Sequence, residues 1–478
     1  MVQLHKLMSI AITLRRLPLL VLMMAQGCHK DPETCPNPGT GQDDTSYMAL
    51  LDILEDASAS TGQITTNSGF LSIYSLSIAA QPGDLLRIRC QVEMTNDTFP
   101  FEPDQVTTTI RGHIRLMADG NNVGNLARQN NVADPLDAEL DHHMHHMPLW
   151  ADAFVHVDHS GQTLIEAQYA TSRSGLSPIV KIEPWDGGSP YGHLVVEHYR
   201  SFASREEAQA FGASGLHALL SDDVKDISVF DEDAAAYHFD CDVEPGDVLH
   251  LFGQATGRFV DNLALHGQKV CLNNSRISPF ASENIVSLLP GLPLWTDAVH
   301  HASSSQTDVY SLNLHSLEPL GSAEVDDAGY LYGLHFRKLL NSSTSRQLVS
   351  VETVTGPTSD FPVVANTGWH SVAFHQGSAN AGDVLRATGF VQLSAPDDLD
   401  DGVNCYFRLL VNGSEVYSSK YITPRLEMLP LRTEQLLMVP STGTFTVEAE
   451  VKCTHNGTSL SVDVVGGLSG IILERFGE

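Results

Sequence analysis

Residues 147–163 read MPLWADAFVHVDHSGQT, residues 292–307 read LPLWTDAVHHASSSQT and residues 429–444 read LPLRTEQLLMVPSTGT. An internal repeat fixes architecture before any single residue does, and here the echo runs on in both directions. Upstream stand QPGDLLRIRC from Gln81, EPGDVLHLFG from Glu244 and NAGDVLRATG from Asn380, each an apolar run opened by Gly-Asp. Downstream stand YGHLVVEHYRSF from Tyr191, YGLHFRKLL from Tyr332 and LSGIILERFGE from Leu468, each a short apolar segment behind a glycine. One module is written three times.

Within each copy, apolar and polar residues alternate between Gly, Asn, Asp and Pro, the pattern of half-buried antiparallel strands. In the third copy this predicts strands at Asp383 to Leu393, Asn404 to Val411, Gln435 to Val439, Thr444 to Cys453, Ser459 to Val465 and Ser469 to Phe476. Asn412-Gly413 supplies the positive-φ pair of a tight hairpin, with Asp119-Gly120 and His266-Gly267 as its expected counterparts. One helix is predicted, from Ser204 to Leu220, opened by a capping-box pair at Ser204 and Glu207 and weakened by Gly212 and Gly215. The expected organisation is a signal peptide over 1–28, a tether over 29–45, β-sandwiches over 46–203, 224–343 and 344–478, and a linker helix over 204–223.

The first 28 residues carry export information. Lys6, Arg15 and Arg16 precede the apolar run Leu17 to Ala25, which is too short for a membrane span. The run stops at Ala25-Gln26-Gly27-Cys28, which resembles the lipobox of bacterial lipoproteins. That resemblance implies a lipid on Cys28 and an outer-membrane or cell-surface location; Ala25 and Gln26 depart from the usual pattern, and plain secretion is the alternative. Pro32 to Asp44 has the composition of a flexible tether. In an exported chain the remaining six cysteines invite disulfides. Cys241 with Cys271 and Cys405 with Cys453 each fall inside one repeat, and Cys35 with Cys90 would tie tether to first repeat. Six cysteines allow fifteen arrangements, and free buried thiols are the alternative.

The third repeat, with FRLLVNGSEV, TGTFTVEAEVKC and SLSVDVVGGLSGIILERFG, resembles the jelly-roll modules of the tumour necrosis factor and complement globular-head superfamily. The resemblance covers about 100 residues of that repeat, within the span of one domain, and less of the other two. It implies an all-β jelly roll, trimer formation and ligand binding through loops, and it carries over no binding residue. The fold class expected is all-β: three tandem antiparallel jelly-roll-like β-sandwiches with a short linker helix. Three modules on one chain can close as a pseudo-trimer within it, or copies of the chain can associate; modules in a row are the simpler expectation.

A formal charge of −31 excludes nucleic acid, whose phosphates are bound by neutralising them, and leaves a lipid anchor as the only membrane contact. The sharpest candidate for chemistry is His142, His143, His145 and His146, where alternate imidazoles share a strand face and could hold Zn²⁺ or copper, with Met144 and Met147 favouring Cu(I). The other repeats have no such cluster, and solvated surface histidines are the plain alternative. Asp397, Asp398, Asp400 and Asp401 before Gly402 offer hard oxygens to Ca²⁺ but lack the spacing of an EF-hand. Trp150 and Trp295 share one repeat position and read as core; Trp185 in a loop is a candidate sugar platform. Ser214 lacks the spacing of a nucleophile elbow, and no carboxylate pair recurs in register as a glycosidase pair would need. Sequons at Asn96, Asn273, Asn341, Asn412 and Asn456 would carry glycan in a eukaryotic secreted protein. The expected function is that of a non-enzymatic, lipid-anchored binding or structural protein with an unidentified protein or glycan ligand and no required cofactor. The alternative is a secreted carbohydrate-active protein or hydrolase with its site in the loops of the first repeat.

Overall fold

In a computed structural model of the chain, each copy of Gly-Asp makes the same turn. Gly83, Gly246 and Gly382 have φ of 88°, 94° and 90°, a region that glycine enters without strain. The aspartate then locks the turn: Gln81, Glu244 and Asn380 donate their backbone N–H to Asp84, Asp247 and Asp383 at 2.9, 2.9 and 2.8 Å.

Each turn launches the strand around which its module is built. These Gly-Asp strands are Leu85–Asn96, Val248–Phe259 and Val384–Ser394. On one side each pairs with a Pro-Leu strand, His146–His156, Leu292–His301 or Met428–Met438. On the other it pairs with a closing strand, His193–Phe202, Tyr330–Phe336 or Gly470–Gly477. The closing strand in turn pairs with an opening strand, Tyr47–Asp56, Leu216–Leu220 or Gln347–Thr355. Every pairing is antiparallel, and the order opening, closing, Gly-Asp, Pro-Leu is the same three times.

A second sheet completes each sandwich: Leu71–Ala80, Gly161–Arg173 and Thr108–Ala118 in the first module, Ala234–Val243, Gln306–Ser316 and Ala264–Leu272 in the second, His370–Ala379, Gly443–Thr454, Val403–Val411 and Ser414–Ile422 in the third. These outer strands alternate as their sequences do. Along Gly443–Thr454, Phe445, Val447, Ala449, Val451 and Cys453 are buried while the residues between them are not. The chain is thus all-β, in antiparallel sandwiches of jelly-roll type.

The Gly-Asp strands behave differently. Residues 84–92 are buried without interruption, although only Leu86, Ile88, Cys90 and Val92 belong to the large apolar cluster. A strand buried on both faces has a second layer over it, and here that layer is the other modules. By its contacts Ser46–Glu478 forms one unit, which holds all three modules. The modules therefore close on one another and do not lie in a row. The described residues fall between 47 and 477; stretches outside them include 134–145, 221–233, 337–346 and 395–402. Among them no helix is long and apolar enough to cross a membrane.

Three expectations change. The linker helix is not seen as an element: Ser204 Oγ does accept the Glu207 N–H at 3.1 Å, but among the described residues of the span only Glu206, Glu207 and Ala210 are helical, and Leu216–Leu220 is a strand paired with the closing strand of module two. Tertiary pairing outweighs a helical pattern already interrupted by two glycines. His266-Gly267 lies inside the strand Ala264–Leu272, and the turn counterpart is Asn273, with φ of 48° beside 47° at Asp119 and 50° at Asn412. All three turn residues receive the same bond, from the backbone N–H of Leu164, Val309 and Thr446 at 2.8, 2.9 and 2.9 Å. Finally, no disulfide forms among the described cysteines: Cys90, Cys241, Cys271, Cys405 and Cys453 are buried and not disulfide-bonded. Cys405 and Cys453 do face each other across paired strands, with sulfurs 3.3 Å apart, as unbonded thiols. Cys35 is outside the described residues.

Candidate functional site: the layer where the modules meet

The strand register places the layer. Two residues after Asp84, Asp247 and Asp383 come Leu86, Leu249 and Leu385, which face their own sandwich. The next residues, Arg87, His250 and Arg386, face the other way. They stand opposite Glu197, Leu334 and Glu474 of the closing strands. One pleat further, Arg89, Phe252 and Thr388 stand opposite Asp152, Asp297 and Glu434 of the Pro-Leu strands. One more pleat pairs Gln91, Gln254 and Phe390 with Trp150, Trp295 and Arg432. The Pro-Leu-Trp phrase that reveals the repeat is therefore what delivers two indoles and a guanidinium to the same place.

All three pairs of modules touch here. Between modules one and three, Arg386 binds Glu197 and Arg89 binds Glu434. Between two and three, Arg432 grips Asp297 with both arms at 2.5 and 2.9 Å. His250 Nδ1 lies 2.7 Å from Glu474 and its Nε2 3.8 Å from Asp297. Between one and two the contact is aromatic: the Arg87 guanidinium lies 3.6 Å from the Phe252 ring centre, the Trp150 and Trp295 rings are 6.4 Å apart, and Phe154 meets Tyr332 edge-on at 5.0 Å. Within modules, Arg87 also binds Asp152 at 3.0 Å and Glu197 at 3.4 Å, and Arg386 binds Glu474.

A buried charge is tolerated only when paired, and the electrostatics show how thorough the pairing is. Burial alone would raise the Asp297 carboxyl, yet Arg432 and His250 hold it far below the carboxylate range. Glu474 is likewise held down against burial by Arg386 and His250, Glu197 by Arg386 and Arg87, and Glu434 by Arg89 and Arg386. Arg89 is the exception: burial pushes its guanidinium below its usual value, and the nearby Glu434 only partly opposes this. An apolar cap of Leu50, Leu85, Tyr199, Leu334, Phe336, Val384 and Phe476, drawn from all three modules, packs against the layer. Beside the charges is a small pit lined by Arg89, Trp150, Asp152, Phe252, Trp295, Asp297 and Arg432 among others, with about 260 Å³ of empty space counting its open mouth.

One group has the outline of a nucleophilic centre. Cys241 Sγ lies 3.5 Å from His335 Nδ1, and His335 Nε2 lies 2.8 Å from Asp247. The repeat shows what this is. Module one keeps the same pair as His198 and Asp84, 2.7 Å apart, with Ile78 where the thiol would be. Module three has Arg475 at 3.6 Å from Asp383. A basic side chain on the closing strand, His198, His335 or Arg475, braces the Gly-Asp turn in every copy, and Cys241 is a core residue beside one of them.

The residues singled out in the sequence meet elsewhere or not at all. His142, His143 and His145 lie outside the described residues, as do Asp397, Asp398, Asp400, Asp401 and Cys28; His146 begins the first Pro-Leu strand, four positions before Trp150. Among the described residues no group of three or more His, Cys, Asp or Glu is arranged to hold a metal. Trp185 sits in a two-stranded ribbon, Trp185–Asp186 against Ser189–Pro190. Trp150 is buried, as a core reading expects, but in the seam between modules. Missed in the sequence were Arg87, Arg386, Glu197, Glu474, Asp152, Asp297 and Glu434. Their signal was present: charges at alternate positions inside apolar runs, at the same offset in two or three repeats.

No family model matches the chain, and no curated protein does. Among solved structures, the chain is similar to the N-terminal CBM22-1–CBM22-2 tandem domain of Xyn10C from Paenibacillus barcinonensis, at 12% identity and a TM-score of 0.16 over 53% of this chain and 92% of that one. It is also similar to a triple jelly-roll protein of the turret assembly of an archaeal virus, at 9% identity and a TM-score of 0.15 over 90% of this chain and 91% of that one.

Proposed function

We propose that the chain is an exported, non-enzymatic binding or structural protein, held to a bacterial outer membrane or cell surface by a lipid on Cys28, in which three β-sandwiches act as one rigid head. The observation that supports this reading best is the central layer. Its arginines and carboxylates are engaged with one another across module boundaries, so they hold modules together and leave no acid and base poised on a substrate. Kinship with the tumour necrosis factor and complement globular-head superfamily belongs to the same proposal. Three jelly rolls meeting about one layer is the arrangement that a trimer-forming family would give if its copies were joined on one chain.

Such a head presents its outer sheets and loops to a protein or glycan. A screen of the mature chain against glycan and surface-protein arrays should return saturable binding without turnover, and release of reducing ends from a bound glycan would overturn the non-enzymatic reading. Cys28→Ser should move the protein from the detergent fraction to the soluble one with its folding intact. Retention of that variant in the detergent fraction would remove the anchor from the proposal.

A further inference from the structure

The pit beside the ionic layer has an unbalanced set of hydrogen-bonding groups. Asp152 already receives Arg87 and Arg89, and Asp297 receives both arms of Arg432 and faces His250. Its acceptors are thus engaged. On the donor side, Trp150 and Trp295 both line the pit, and the Nε1–H of each is buried with no hydrogen-bond partner among the described residues. Indole can only donate, and a buried donor without an acceptor costs free energy comparable to a lost hydrogen bond. Two such donors from equivalent positions of two modules, beside two guanidinium groups, call for an acceptor that the described residues do not provide.

Size narrows what that acceptor is. The enclosed part of the pit has room for about one water-sized group, which excludes a sugar ring, a phosphate ester or a peptide carboxylate with its chain. Among the walls are three rings, Trp150, Trp295 and Phe252, with Phe252 stacked under Arg87 and Trp150 under Arg432 at 4.3 Å. Ring edges carry partial positive charge and suit a single compact anion. The Arg89 guanidinium is held below its usual value because burial outweighs its carboxylate partners, and a further negative charge nearby would offset that.

We propose that the pit binds a single halide ion, chloride under physiological conditions, through the indole N–H groups of Trp150 and Trp295 with Arg89 and Arg432 alongside. The site is composite: module one gives Trp150 and Arg89, module two Trp295 and module three Arg432, so the ion would bind only the closed head and stabilise it by mass action. This inference concerns the assembly of the head and stands whether or not a glycan or protein ligand is found.

The test uses the full chain in chloride-free buffer, titrated with sodium bromide against sodium sulfate at constant ionic strength. Melting temperature and tryptophan emission should both change saturably with bromide. Trp150→Phe with Trp295→Phe keeps the rings and removes both donors, and should weaken the apparent affinity at least about tenfold, as expected when donors to an ion are lost. Trp369→Phe, a residue stacked on Arg408, should leave it unchanged. A response that fails to saturate, or that is equal in the double variant, overturns the proposal. Should the double variant not fold, crystals of the unaltered protein grown in bromide decide: anomalous density in the pit within hydrogen-bonding distance of both Nε1 atoms upholds it, and a water there refutes it.

Discussion

Each Gly-Asp strand has two buried faces made of different materials. The face toward its own sandwich is apolar: Leu86, Ile88, Cys90 and Val92 in module one, Leu385, Ala387, Val391 and Leu393 in module three. The face toward the other modules carries Arg87, Arg89 and Gln91, or Arg386 and Thr388. Both are out of water, yet only the second is charged. An apolar face gains free energy from any partner of about the right shape. A charged one gains only where the opposite charge stands at the right place and loses heavily elsewhere. The difference points to a division of labour, in which apolar packing stabilises the modules and ion pairing selects how they are arranged. Module two sharpens the contrast: it has Phe252 where module one has Arg89 and module three Thr388, and Leu334 where both have glutamate, and it meets module one through rings.

If the charged face discriminates in this way, removing one partner should hurt more than removing apolar bulk. Glu197→Ala would leave Arg87 and Arg386 short of an acceptor and should destabilise by about 4 kcal/mol, the range for breaking a buried pair, measured by urea unfolding. The same face should confer acid sensitivity. Glu197, Asp297, Glu434 and Glu474 have folded values depressed below the ordinary carboxylate range. The stability they confer is fully present above the unfolded values near 4 and is lost as pH falls through the folded ones. A urea midpoint independent of pH from about 6 to 2 would contradict the ion-pair reading.

On the apolar face, Leu409→Ala in the outer sheet of module three, where the side chain is buried in the core, should cost about 3 kcal/mol by cavity formation with no change in acid sensitivity. If it instead proved costlier than Glu197→Ala, the comparison would be reversed. Smaller effects are expected at the turns. Asn412→Ala removes the acceptor for the Thr446 N–H and leaves alanine at φ of 50°, for about 1 kcal/mol, read from the melting temperature. The smallest belongs to Glu415→Gln, which breaks a half-exposed pair with Arg408 at 2.7 Å and should shift stability by no more than about 0.5 kcal/mol.

The repeat and its strands were legible because they obey local rules. Strands predicted at Asp383 to Leu393, Thr444 to Cys453 and Ser469 to Phe476 are found as Val384–Ser394, Gly443–Thr454 and Gly470–Gly477. The Asn412-Gly413 turn is where its positive φ demands it. Tyr47 to Glu55 could be read as a short helix or a first strand and is the strand Tyr47–Asp56, whereas the opening strand Gln347–Thr355 was missed. Asn273 was missed as a turn because no glycine follows it, although its side chain makes the same bond as Asp119 and Asn412.

The sequence by itself determined that this is one β-sandwich written three times, because hydrophobic alternation and turn chemistry act over a few residues and survive in every copy. It also placed Trp150, Trp295 and Arg432 at one equivalent position. Only the tertiary structure decided that these positions meet. Whether Arg386 finds Glu197, 189 residues away, depends on how whole sheets pack, and no local pattern encodes that. A charge in an apolar run looks like an edge facing water until the neighbouring module is in place to cover it.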